Sequence, residues 1–117
     1  MYFKQETGKI GEDLACRYLE NLGYTINERN FMCRQGEIDI IAKYKDEKVF
    51  IEVKTRKNRK YGDPIEAVTQ TKQKHMKRAV EYYLYKNGIK NEYIRFDVIE
   101  VYLSKNSYKI NHVKQIM

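Results

Sequence analysis

The sequence predicts an α/β domain in which one mixed five-stranded sheet is flanked by helices, in the order αβββαββ. Three observations support this fold class. Apolar residues recur at helical spacing in two segments, five other segments have the pattern of strands, and the second helical segment separates the third strand from the fourth. Hairpins join antiparallel strands whereas a helical crossover returns to the sheet, so the sheet should be mixed. At 117 residues the chain is long enough for one domain, spanning 1–117, and too short for two ordinary ones.

The first predicted helix spans about residues 7–22, and Gly23 stands where such a helix would end. Its apolar residues at helical spacing are Ile10, Leu14, Tyr18 and Leu22. At about 100° per residue, Glu12 lies near the margin of this apolar stripe. Its carboxylate could therefore reach inward at the edge of the core, or it could be an ordinary solvated acid.

The remaining elements follow in order along the chain. Strands are predicted at about 24–31, 36–44 and 48–56, a helix from about 65 or 70 to 87, and strands at 93–103 and 108–114. The basic loop KNRKYGDP precedes the second helix and holds the only proline. Gly88 is the stop signal of that helix, whose expected core contacts are Ala67, Val68, Met76, Ala79, Val80 and Tyr83.

Two neighbouring strands carry charged residues in a pattern that should bring them together. Glu37 and Asp39 alternate with apolar residues in GEIDIIA, and Glu52 and Lys54 do so in VFIEVKTR. Side chains on a strand alternate faces with a period of two, so each pair shares one face. A hairpin turn centred on residues 45–46 sets the register of the two strands. That register places Asp39 across from Glu52, and Glu37 across from Lys54, all on the same face.

The facing carboxylates of Asp39 and Glu52 would repel each other. At a separation of about 5 Å and an effective dielectric of about 20, the repulsion is roughly 3 kcal/mol, a large fraction of a small domain's stability. A divalent cation such as Mg²⁺ or Mn²⁺ would offset this cost, because hard cations prefer oxygen ligands and need only a few protein carboxylates. The alternative is a cross-strand Glu37–Lys54 salt bridge on a solvated face, with the two other acids tolerated beside it. That alternative leaves the Asp39–Glu52 repulsion without a cause.

The net charge of +7 favours a polyanionic partner, although the charge alone does not separate nucleic acid from an anionic membrane. The positive residues are concentrated after the acidic site and on the second helix. The first group is Lys54, Arg56, Lys57, Arg59 and Lys60, and the second is Lys72, Lys74, Lys77 and Arg78. This distribution predicts a positively charged surface beside the acidic residues.

No apolar run approaches the roughly 20 residues that span a bilayer, and MYFKQETGK lacks the apolar core of a signal peptide. We therefore expect a cytoplasmic protein without a membrane partner. Cys16 and Cys33 are then most simply reduced thiols. A zinc site is disfavoured, because no close pair of Cys or His residues has the usual ligand spacing.

At these residues the chain resembles the PD-(D/E)XK nuclease superfamily, whose fold is restriction-endonuclease-like. More closely, it resembles the small bacterial YraN-like family, which is similar to archaeal Holliday-junction resolvases. The resemblance covers nearly the whole chain, through the segments GKIGEDLACRYLENLGY, RN, GEIDIIA, VFIEVKTR and GDPIEAVTQTKQKHMKRAVEYYL. The residue before Asp39 is Ile38 and not proline, which departs from the literal motif.

The resemblance implies a metal-dependent endonuclease that hydrolyses phosphodiester bonds in DNA and recognises branched or junction structure more than sequence. By position, Glu12 matches the helix glutamate, Asp39 the strand aspartate, Glu52 the second acid and Lys54 the catalytic lysine. The three acids would hold Mg²⁺ or Mn²⁺, and Glu37 would orient Lys54 or support the metal from an outer shell. Phosphates would be bound by Arg56, Lys57, Arg59, Lys60 and Lys72. A resolvase-like activity would call for two active sites and hence a homodimer.

Two other function classes are compatible with the sequence. The first is a non-catalytic nucleic-acid-binding module on a nuclease scaffold, although a degenerate site should have lost one of Glu12, Asp39, Glu52 and Lys54. The second is a structural protein whose basic surface meets an acidic protein or RNA, and whose stability would not respond to divalent metal.

Overall fold

Two helices and five strands form the parts of the chain that the computed structural model describes, residues 2–57 and 70–116, with side chains from residue 7 onward. The elements are α1 (Tyr2–Asn21), β1 (Thr25–Cys33), β2 (Gly36–Tyr44), β3 (Glu47–Lys57), α2 (Gln70–Lys86), β4 (Tyr93–Leu103) and β5 (Tyr108–Val113). The predicted order αβββαββ is confirmed. Ala67 and Val68 lie outside the described residues, as do Arg59 and Lys60.

The five strands form one sheet in the order β1-β2-β3-β4-β5. The β3–β4 pair is parallel and the other three pairs are antiparallel, so the predicted mixed sheet is confirmed. The β2–β3 hairpin has the predicted register from Tyr44↔Glu47 to Ile40↔Ile51. Lys45 in its two-residue turn has a φ of 53°, a left-handed conformation that tight hairpins require.

The two helices cover opposite faces of the sheet. On the α1 face, the strands bury Ile40, Ala42, Val49, Ile51, Ile99 and Val101 against the helix. On the α2 face, they bury Phe31, Ile38, Ile41 and Phe50 against Ala79, Val80 and Tyr83. The central strand β3 is therefore buried on both faces, with Val49 and Ile51 towards α1 and Phe50 towards α2.

The buried stripe of α1 differs from the predicted one. Ile10 and Leu22 are each 49% exposed, whereas Ala15, Cys16 and Leu19 are buried. The stripe lies about one residue further along the helix because small residues form its centre, and they allow the helix axis to come close to the sheet. Gly23 ends the helix as predicted, with a φ of 99°, and the N–H of Tyr24 donates to the carbonyl of Leu19 at 3.0 Å.

Neither helix in the described ranges is long and apolar enough to cross a bilayer.

Candidate active site

The candidate site lies where β2 and β3 separate. In the described strands, their backbone pairing stops at Ile40↔Ile51 and does not reach the predicted pairs Asp39–Glu52 and Glu37–Lys54. The side chain of Asp39 instead accepts a hydrogen bond from the backbone N–H of Val53, with a distance of 2.8 Å to Oδ2. A carboxylate therefore replaces a backbone carbonyl as the acceptor at the end of the ladder.

Asp39 lines a cleft on each face of the sheet, because the separation of the strands opens both. The cleft on the α2 face also contains Glu37 and Glu52, with Lys72 and His75 from the helix. The cleft on the α1 face contains Asp39 with Glu12, Val53, Thr55 and Lys57. Both helices thus present charged side chains to the same strand position.

The pKa of Asp39 is raised to about 7, mainly by burial and also by the neighbouring carboxylates of Glu12, Glu37 and Glu52, against the lowering effect of the Val53 N–H. The ordinary value for an aspartate is near 4. Near neutral pH, the carboxyl group is therefore divided between its neutral and ionised forms. A cation beside it would favour the ionised form.

Glu52 has one satisfied and one unsatisfied carboxylate oxygen. Its Oε1 forms an ion pair with the ammonium of Lys72, which reaches across the cleft from α2. Its Oε2 is buried and has no hydrogen-bond partner among the described residues. A buried carboxylate oxygen without a partner is costly, so the site has an acceptor that a cation could satisfy.

Glu12 is held at the margin of the site by Arg29 on β1. The Arg29 guanidinium lies 3.6 Å from Glu12 Oε1 and 2.8 Å from Asp13 Oδ1. The Glu12 side chain is 18% exposed, which is the inward placement at the core margin that the helical pattern allowed.

The close approach of α1 to β3 depends on Gly11. A Cβ at this position would overlap the Thr55 hydroxyl and lie 3.0 Å from its Cβ. Only glycine therefore allows α1 to pack this closely against the strand. This contact sets the distance between α1 and β3, and therefore the position of Glu12, the next residue, relative to Asp39.

Lys54 is half-buried and follows Glu52 on the same face of β3. The predicted Glu37–Lys54 salt bridge is not among the ion pairs of the described residues. Glu37 is exposed at the mouth of the cleft on the α2 face. The parallel register instead places Lys54 beside Glu100 of β4.

Glu100 is a site-adjacent acid that the sequence analysis did not identify. It is 1% exposed, accepts hydrogen bonds from Tyr102 Oη at 3.0 Å and Asn111 Nδ2 at 3.1 Å, and lies 3.4 Å from Arg56 Nε. The Arg56 side chain is only 15% exposed. The sequence signal is a single acid in the apolar run VIEVYL, where a buried charge needs partners.

The other predicted phosphate-binding residues differ in their surroundings. Lys57 is exposed at the end of β3, and Lys72 is 44% exposed while paired with Glu52. The exposed face of α2 adds Lys74, Lys77 and Arg78, and the turn between β1 and β2 adds Arg34. Lys72 lines the cleft on the α2 face, Lys57 lines the cleft on the α1 face, and Lys74 and Lys77 line a further cavity on the exposed side of α2.

The residues present fit a hard divalent cation that takes only one or two ligands from the protein. No group of three or more His, Cys, Asp or Glu side chains converges to ligand distance within the described ranges. The unsatisfied Oε2 of Glu52 and the raised pKa of Asp39 nevertheless mark two carboxylates that a cation could stabilise. Mg²⁺ keeps several of its waters and is commonly held by one or two carboxylates, so this donor set is sufficient.

The fold and the site define the chain as a small α/β protein with a carboxylate-lined opening between two antiparallel strands. A family model described as "Uncharacterised protein family UPF0102" matches residues 11–101. The chain therefore belongs to the UPF0102 family, which confirms the predicted family resemblance.

Its relatives match over most of their length. A UPF0102 protein of Caldicellulosiruptor saccharolyticus is 50% identical over 101 residues, covering 86% of each chain. A UPF0102 protein of Clostridium botulinum strain Hall is 47% identical over 116 residues, covering 97% of this chain and 94% of the relative.

Proposed function

We propose that this protein is a metal-dependent endonuclease that hydrolyses phosphodiester bonds in DNA and recognises the shape of its substrate. The observation that carries the proposal is the pair of acids, Asp39 and Glu52, at the opening between β2 and β3, with Lys54 following on the same face of β3. A pair of acids with a buried, unsatisfied oxygen and a raised pKa, a lysine two residues further along β3, and exposed cations on β3 and α2 together suit a phosphate ester.

The chemistry divides among the residues by their positions. A divalent cation held by Asp39 and Glu52 would acidify a water molecule and withdraw charge from a phosphate oxygen. Lys54 would place its ammonium near the attacked phosphate, where negative charge develops in the transition state. Glu12 would orient water from the α1 side, because it shares a cleft with Asp39.

The exposed cations of β3 and α2 would bind the DNA backbone without reading bases. Lys57 and Lys72 are predicted phosphate contacts, joined by the exposed Lys74, Lys77 and Arg78 of α2. Phosphate contacts fix the position and orientation of a strand but carry no direct sequence information. Selection would then depend on whether a junction, flap or end can present a phosphate to the cleft.

A non-catalytic DNA-binding module is the second candidate, and one observation favours it. Two of the acids already have cationic partners from the protein, Glu52 with Lys72 and Glu12 with Arg29. In such a module these ion pairs would be permanent and would maintain the fold. The basic surface would then bind DNA with no requirement for metal.

The first experiment compares labelled single-stranded, duplex, flap and four-way-junction DNA, each incubated with Mg²⁺, Mn²⁺ or EDTA. Wild-type protein should cut a branched substrate only when metal is present, and Asp39→Ala and Lys54→Ala should not. Asp46→Ala, in the exposed β2–β3 turn, is the matched control and should cut like wild type. Binding with no cutting in either metal would favour the second candidate.

A further inference from the structure

The ion pair between Lys72 and Glu52 joins α2 to β3 across the cleft on the α2 face. Its two partners differ in exposure, since the Glu52 side chain is 17% exposed and the Lys72 side chain 44%. The carboxylate is thus the more buried partner. The ammonium stands at the mouth of the cleft, where water can solvate it if it leaves.

The ammonium satisfies only half of the Glu52 carboxylate. It contacts Oε1, while Oε2 remains buried and has no hydrogen-bond partner among the described residues. A lysine presents one compact charge and cannot contact both oxygens in the way that a planar guanidinium does. The ion pair therefore leaves Oε2 of the Glu52 carboxylate unsatisfied, and a second cation could bind this oxygen.

A divalent cation bound at Oε2 would lie within a few ångströms of the ammonium. Two like charges at such a distance repel strongly in a partly buried site. The cation carries the larger charge and would also contact Asp39, which lines the same cleft. Lys72, the more exposed group, would be the one to leave.

On this geometry, and resting on the metal site of the proposed function, we propose that Lys72 is a built-in competitor of the divalent cation. Its ammonium neutralises Glu52 while the cation is absent. When the cation binds, the ammonium is released to the mouth of the cleft. There it becomes available to contact a substrate phosphate.

Two properties follow from this competition. Cation binding should be weaker than the two carboxylates alone would give, because it must break the ion pair. Cation binding should also strengthen DNA binding, because it frees a positive group for the phosphate. Linkage requires that DNA, by holding Lys72 away from Glu52, strengthens cation binding by the same factor.

The test is calorimetric titration of the metal-free full-length chain with Mn²⁺ at pH 8 and physiological ionic strength. Lys72→Gln removes the competing charge and should bind Mn²⁺ about fivefold more tightly. This factor corresponds to about 1 kcal/mol, the energy of a partly exposed ion pair that Mn²⁺ no longer has to break. Lys72→Arg keeps the charge and should not show this gain. Lys74→Gln, an equal change of net charge at an exposed position of the same helix, should change affinity less than twofold.

Asp39→Asn separates failure of this inference from failure of the proposed metal site. If wild-type protein binds Mn²⁺ and Asp39→Asn does not, the metal site stands. Equal or weaker binding by Lys72→Gln would then overturn the competition alone, and so would an equal gain in Lys74→Gln. If wild-type protein binds no Mn²⁺, or Asp39→Asn binds it as well, the metal site is wrong and the competition falls with it.

Discussion

Asp39 is a partly buried carboxyl group with three other acids nearby, and its pKa of about 7 follows from that position. Unfolding returns the group to an ordinary pKa near 4. Between about pH 4 and pH 7, the folded protein retains a proton that the unfolded chain has released. Stability therefore falls as pH rises through this window, and above it the folded state carries the full cost of the buried charge.

Replacing Asp39 with asparagine should stabilise the metal-free protein at pH 8 by about 2 kcal/mol, a value discounted for partial exposure of the group. The amide oxygen of asparagine can still accept the Val53 hydrogen bond. Urea denaturation at pH 8 and pH 4 measures the effect, which should nearly vanish at pH 4. Asp46→Asn, at an exposed turn position, is the control. The same gain at both pH values would contradict the assigned cause.

Metal should stabilise the wild-type protein more at pH 8 than at pH 6, because only the ionised carboxylate of Asp39 is a good ligand. The measurement is the melting temperature in Mg²⁺ or Mn²⁺ minus that in EDTA, at both pH values. A rise at pH 8 that is lost in Asp39→Asn is the expected result. A metal effect of the same size at both pH values would count against Asp39 as a ligand.

At the scale of secondary-structure elements, the contact between α1 and β3 positions Glu12. Gly11→Ala would overlap Thr55, so the helix must shift away from the strand. Gly8→Ala is a matched control three residues earlier on α1, because a Cβ there meets no atom of the described residues within 4 Å. Gly8→Ala should stabilise the protein by up to about 1 kcal/mol, the helix-propensity gain.

Gly11→Ala should instead destabilise the protein by about 1–3 kcal/mol, as overpacking does. Thermal or urea denaturation of the two variants measures the difference. Thr55→Ala in the Gly11→Ala background should recover part of the loss, because it removes the overlapped hydroxyl. Equal stabilisation by both glycine replacements would show that α1 does not depend on this contact.

The elements and the β2–β3 register could be predicted because they depend on local patterns. Alternation over a few residues identifies β2 and β3, and the short turn at Lys45 fixes their pairing as far as Ile40↔Ile51. The opening beyond that pair could not be predicted, since it depends on the Asp39 side chain taking the N–H of Val53. The buried stripe of α1 lies one residue further along the helix than predicted, because small residues such as Ala15 form its centre.

The sequence also predicted candidate site acids but not their partners. Glu12 and Glu52 each share a cleft with Asp39, on opposite faces of the sheet, and within the described residues the three acids do not converge to ligand distance. The partners Lys72 and Arg29 are brought in from α2 and β1 by tertiary packing. No spacing along the chain encodes such contacts.

At the scale of the whole molecule, a buried polar network joins four elements around Asp97 of β4. Its carboxylate, 0% exposed, accepts hydrogen bonds from Arg95 Nε at 3.0 Å and from the Gln115 N–H at 3.2 Å. His112 Nε2 of β5 lies 2.7 Å away, and His112 Nδ1 lies 3.0 Å from the Tyr18 hydroxyl of α1. Arg95 also reaches Glu47 of β3 at 2.9 Å.

Burial alone would raise the pKa of Asp97, but its hydrogen bonds to His112, Arg95 and the Gln115 N–H more than offset this, so its pKa lies below the ordinary range. Asp97→Ala should lower the free energy of unfolding by about 3 kcal/mol or more, because it leaves a buried guanidinium without its main partner. Urea denaturation measures the loss, with Glu20→Ala at an exposed position of α1 as control. A loss under 1 kcal/mol would show that the network does not hold the elements together.

The net charge of +7 and the exposed cations of β3 and α2 predict binding to DNA that weakens steeply with salt. Charge reversal of Lys57, Lys74 and Lys77 should reduce the slope of log K against log salt, because about one counterion fewer is released for each phosphate that the protein no longer neutralises. Fluorescence anisotropy between about 50 and 200 mM salt measures this slope. An unchanged slope would place the DNA surface elsewhere on the molecule.

The central proposal is that the site between β2 and β3 hydrolyses a phosphodiester bond. One paired measurement tests it most directly. Binding and single-turnover cleavage of the preferred DNA are measured in Mn²⁺ for wild-type protein and Lys54→Met, which keeps the length of the side chain. We expect DNA affinity within about threefold of wild type and a loss of cleavage of about 1,000-fold or more, since an ammonium that acts in the transition state is worth several kcal/mol. Cleavage by Lys54→Met at the wild-type rate would contradict the proposed mechanism.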